Sequence, residues 1–154
     1  MKGNGLYLKE TAVVLIGMAV VFLGDFLLGV RIERFSGMAT FTPYWILDVF
    51  LVPFIAGYVV AKLYGEKNGK WLACLPPLIV RGLGVLYLYI TDPLWHEDLF
   101  FHMHLHYWAL CVILAVEAAN LGGVLGEFKL GAYIRNDERM NRKDKAVAQP
   151  GMNP

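Results

Sequence analysis

Four long apolar runs, separated by short polar breaks, organise the chain. The first covers residues 11–30 (TAVVLIGMAVVFLGDFLLGV) and is interrupted only by Asp25. As a helix rising ~1.5 Å per residue, such a run crosses the ~30 Å hydrocarbon core of a bilayer. A secretory signal peptide would have a shorter apolar stretch and a small-residue cleavage site, whereas this run leads into Arg31, Ile32, Glu33 and Arg34. The second run, 44–64, follows Pro43 and opens on Tyr44 and Trp45, residues suited to an interface. It carries Asp48 near that end and Pro53 a turn further in, which predicts a kink. The third, 71–91, contains Pro76-Pro77, Arg81, Gly82 and Gly84, with Tyr87 and Tyr89 toward its far end. The fourth, 105–126, is apolar from Tyr107 to Leu125, with Glu117 in its middle, and its helical pattern reaches back toward Asp98.

This pattern predicts an all-α polytopic integral membrane protein, an antiparallel bundle of four transmembrane helices within residues 1–132. Residues 133–154 are polar and of mixed charge, too poor in apolar surface to fold alone, and predict a disordered cytoplasmic tail. Composition agrees: of 154 residues, 57% are hydrophobic and 18% charged, against about 25% charged in soluble domains. Mean hydropathy is +0.49. Net charge is +1, so no global basic field points to nucleic acid. Cys74 and Cys111 lie inside apolar runs as small hydrophobes and suggest neither a disulfide framework nor a zinc spacing.

Basic residues are distributed unevenly over the breaks. Lys2 and Lys9 precede the first run; Lys62, Lys67 and Lys70 surround the break after the second. Lys129, Arg135, Arg139, Arg142, Lys143 and Lys145 follow the fourth. Opposite them stand only Arg31 and Arg34, because residues 92–106 contain no Lys or Arg. The positive-inside bias therefore predicts cytoplasmic N- and C-termini.

Ionisable groups at mid-bilayer cost about 2.5–3.5 kcal/mol each on insertion scales, so they are rare, inward-facing and partnered. Antiparallel counting of depth makes Arg81 and Glu117 an expected charge pair, and brings Asp25 to the level of Asp48. Two carboxylates that close repel unless they share a proton or a cation, such as Arg31, stands beside them. The small residues at 17, 24, 57, 82, 84, 122, 123 and 126 suit close helix packing.

All four histidines fall in residues 96–106. On a helix, Asp98, His102, His106, Glu117, Asn120 and Glu127 share one polar stripe, a candidate proton or ion path, with His96 and His104 off it. His102 and His106, one turn apart and following Asp98 by one turn, suit a divalent transition metal at the outer face, which Asp25 or Asp48 would complete. The plainer reading is an interfacial belt of His, Trp95, Tyr107 and Trp108. The chain contains no phosphate loop, GxSxG, CxxC, HExxH or dinucleotide fingerprint. Three functions fit: a small transport component for protons, metal ions or a small solute; an accessory subunit of a larger membrane complex; or a membrane metalloenzyme using the His/carboxylate set. Beyond the lipid bilayer, the expected partners are further copies of the chain or other membrane subunits.

Overall fold

A computed structural model describes residues 3–30, 35–65, 69–92 and 98–129; the side chains of 3–6 and 98–102 lie outside the description. The described chain is all-helical, and four of its helical stretches, Tyr7–Leu28, Pro43–Tyr64, Gly69–Thr91 and Met103–Lys129, are long and apolar enough to cross a membrane. The expected tail, 133–154, lies outside the described residues, as do Lys2, Arg31, Arg34, Lys67 and His96.

Helix α1 (Gly3–Leu28) ends where Gly29, at φ 64°, donates its N–H to the Asp25 carbonyl at 3.0 Å. A left-handed residue there closes the helix without a Cβ penalty and leaves Asp25 in the last turn. The second stretch begins with α2 (Pro43–Ile46), where Thr42 Oγ1 accepts the Trp45 N–H at 3.2 Å and proline occupies the first turn. It continues through a π-turn, Leu47–Leu51, into α3 (Val52–Tyr64). Pro53 has no N–H to give, and its ring crowds the carbonyl four residues back, at Val49. The wider π-turn accommodates both effects, so the irregularity expected from Pro53 takes this form. The third stretch is interrupted at Cys74, between α4 (Gly69–Ala73) and α5 (Leu75–Thr91), just ahead of Pro76-Pro77. The last helix, α6 (Asp98–Lys129), does reach back to Asp98.

The tightest seam joins α3 to α6. A Cβ on Gly57 would strike the carbonyl of Ala119, and one on Gly122 the carbonyl of Phe54. Only glycine permits backbones this close, the small-residue packing that apolar helices use in lipid. Ala115, Ala118 and Ala119 continue that face of α6, all of them buried. At one end of the molecule Glu10, Tyr64, Lys70 and Glu127 meet: Tyr64 Oη donates to Glu10 at 3.3 Å, and Glu127 Oε1 accepts the Lys70 N–H at 2.9 Å. At the other, Trp45 Nε1 donates to Tyr107 Oη at 2.6 Å, with the Phe41 ring edge-on to both and Phe35 tilted against Tyr107. Val21, Val52 and Ala56 pack between, flanked by Val80.

Candidate functional site: a buried Asp–Arg–Asp triad

Arg81, on α5, is 1% exposed and lies at the meeting point of three elements. Its guanidinium forks onto Asp25 of α1, Nη1 donating to Oδ2 and Nη2 to Oδ1, each at 2.8 Å. Nη2 also donates to Asp48 Oδ2 at 2.8 Å and to the Asp48 carbonyl at 3.4 Å. The planar fork of arginine matches a carboxylate bidentately, and lysine could not make both contacts. Trp108 of α6 fixes the backbone from behind, its Nε1–H donating to the Arg81 carbonyl at 3.1 Å. All four apolar stretches therefore contribute to the site.

The two aspartates differ in access. Asp48 is fully buried in the π-turn, and its Oδ1 has no hydrogen-bond partner. The Asp25 side chain is 19% exposed. It faces a cavity of about 630 Å³ between α1 and α5, lined by Met18, Phe22, Phe26, Leu83, Tyr87 and Arg81 among others. The site thus has one carboxylate reachable through an apolar groove, one sequestered behind it, and a cation holding both.

The expected Arg81–Glu117 pair is corrected by these contacts. Arg81 takes Asp25 and Asp48, while Glu117 is exposed on α6. The rotation of α6 decides this: its glycine-alanine face is fixed against α3, and residue 117 falls outside that face. The expectation that Asp25 and Asp48 are neighbours agrees with the geometry, and the cation between them is Arg81.

The polar stripe of α6 is divided. His106 and Glu117 are exposed, Asn120 is half-buried and Glu127 is buried. His104, expected off the stripe, is the inward residue, 3% exposed. No continuous interior path forms along these residues within the described chain. For the metal set, Asp98 and His102 lie where side chains are not described, His106 is exposed, and Asp25 and Asp48 bind Arg81. Among the described residues no three His, Cys, Asp or Glu side chains converge as ligands. Sequence reasoning missed Trp108 as a support of Arg81, and Glu127 as the acceptor for the Lys70 N–H; an indole and a glutamate in an apolar run were the available signals. Compared with protein-family models, curated proteins and solved structures, the chain matches none.

Proposed function

We propose that this chain is a multi-pass membrane protein with antiparallel spans and cytoplasmic termini, working as a small transport component whose ion-binding centre is the Asp25–Arg81–Asp48 triad. The end of the second stretch beside the start of the first (Tyr64 with Glu10), and the end of the fourth beside the start of the third (Glu127 with Lys70), support the antiparallel arrangement, and the unequal distribution of Lys and Arg supports the orientation. One observation carries the transport reading: a reachable and a sequestered carboxylate share a single buried guanidinium. A proton or monovalent cation arriving at Asp25 through the groove competes with Arg81 for that carboxylate. Arg81 retains Asp48, so the exchange loosens α1 from α5 while the π-turn stays attached. Charge inside an apolar span is costly enough to mark a functional site by default. Copies of the chain would supply the wider wall that four helices alone lack.

The accessory-subunit reading has its own support in the exposed apolar face of α1, with Phe22, Leu23, Phe26 and Leu27 all more than half exposed. Flux separates the two. In vesicles holding the full chain and a pH-sensitive dye, under an imposed potential, Asp25→Asn abolishes proton or cation flux, Asp25→Glu keeps part of it and Glu117→Gln keeps it whole. Wild-type vesicles no leakier than empty ones, or full flux in Asp25→Asn, overturn the transport reading.

A further inference from the structure

We infer that Lys62, Lys129 and Tyr58 form a headgroup site for one anionic phospholipid at the end of the α3–α6 seam. Lys62 lies in the last turn of α3, and Lys129 is the final residue of α6. Their ammonium groups stand 5.9 and 6.0 Å from the centroid of the same Tyr58 ring. The backbones that carry the two lysines are held close together. Gly126 sits so close to α3 that a Cβ there would come 3.0 Å from the Tyr58 carbonyl oxygen and 3.5 Å from the backbone nitrogen of Lys62.

Two like charges around one ring repel, and a cation–π contact at an exposed position offsets only part of that repulsion. Neither lysine has an ion-pair partner among the described residues. The carboxylate nearest to Lys129 by sequence, Glu127, is buried and turned to the Lys70 N–H, and Glu66, four residues after Lys62, lies outside the described residues. Among the described residues, what the pair lacks is an anion that can lie between two ammonium groups and accept from both. A phosphodiester has two non-ester oxygens for that purpose, and the half-exposed Tyr58 phenol provides one more donor.

The surface below the lysines distinguishes a lipid from a soluble phosphate. One and two turns back from Lys129, on the same face of α6, Leu125 and Leu121 are exposed. On α3 the row through Lys62 and Tyr58 continues into Ile55 and Leu51, exposed as well. Each ammonium group therefore heads an apolar track, and two tracks side by side fit a headgroup with two acyl chains. Lys70 and exposed Trp71, 6.0 Å apart at the same end, add basic and aromatic character to this rim. The inference rests on the membrane placement given under Proposed function, and is independent of flux through the triad.

The experiment uses the purified full chain in a neutral detergent. Thermal unfolding and native mass spectra are recorded with added phosphatidylglycerol, with phosphatidylcholine, and with inorganic phosphate. Phosphatidylglycerol is expected to raise the unfolding temperature and to leave a retained one-lipid adduct; phosphatidylcholine and phosphate should do neither. Lys62→Gln and Lys129→Gln each lose the shift and the adduct, since both charges hold one phosphate. Lys62→Arg and Lys9→Gln keep them. Each variant is compared with its own lipid-free unfolding, and adducts are counted on folded protein, so a weakened variant still reports. Equal adducts in both glutamine variants, equal effects of phosphatidylcholine, or stabilisation by inorganic phosphate alone overturn the site. Such outcomes leave the Asp25 flux result untouched.

Discussion

Replacing Arg81 by methionine keeps most of the side-chain volume and removes the charge that holds Asp25 and Asp48. Asp48 has no exposure to water and already carries one unpartnered oxygen, so in the variant its second oxygen loses its donor as well. Removing one member of a buried ion pair costs about 3–5 kcal/mol, chiefly because the remaining charge is stranded. Two carboxylates are affected here, but Asp25 reaches the groove and can recruit water, so the penalty stays within that range. Deleting every charge is a different matter: fully apolar or neutral replacements of buried ion clusters are often neutral or stabilising, by about 1–4 kcal/mol. Arg81→Met is therefore expected to lower stability by about 3–5 kcal/mol, and the combination Arg81→Met, Asp25→Asn, Asp48→Asn to recover most of that loss. Equilibrium unfolding of micelle-bound protein by a denaturing detergent, followed by tryptophan fluorescence, gives both numbers. A loss below about 1 kcal/mol in Arg81→Met, or no recovery in the combined variant, would refute the stranded-charge reasoning.

At the α3–α6 seam, Gly122→Val drives a side chain into the Phe54 carbonyl and is expected to cost at least about 1–3 kcal/mol as overpacking. Gly82→Ala meets nothing within 4 Å and should stabilise α5 by about 0.5–1 kcal/mol in the same unfolding assay. Tyr107→Phe leaves the buried Trp45 indole N–H without its acceptor, an expected loss of about 1–3 kcal/mol with a shift in the Trp emission. For orientation, Ser36→Cys on a background lacking Cys74 and Cys111 should react with an impermeant maleimide added outside intact cells, whereas a cysteine at Gly65 should react only after lysis.

The four apolar stretches were legible because hydropathy and length depend on composition along the chain, and a bilayer-sized run announces itself. Depth was legible for one pair. Counting residues from the breaks brought Asp25 level with Asp48, and the two share one guanidinium. Rotation about each helix axis was not, because it is set by partners far away in sequence. On α6 the glycines and alanines that meet α3 decide which residues turn inward; Glu117 and His106 were placed inside by a stripe of polar positions that this seam overrides. Arg81 shows a second limit. Its backbone carbonyl takes the N–H of Trp108, well before Glu117 on α6, so counting from the breaks set Arg81 against the wrong level. The π-turn before Pro53 adds a third, since a local change of helical pitch re-aims Asp48 in a way no 3.6-residue wheel contains.

The partnership of Arg81 is tested most directly by two double-mutant cycles on the unfolding free energy, one joining Arg81→Met to Asp48→Asn and the other joining it to Glu117→Gln. Contacting residues couple by about 0.5–3 kcal/mol and distant ones add within about 0.3–0.5 kcal/mol. The geometry predicts coupling above about 1 kcal/mol for Arg81 with Asp48 and additivity with Glu117. Strong coupling to Glu117 together with additivity at Asp48 would contradict it.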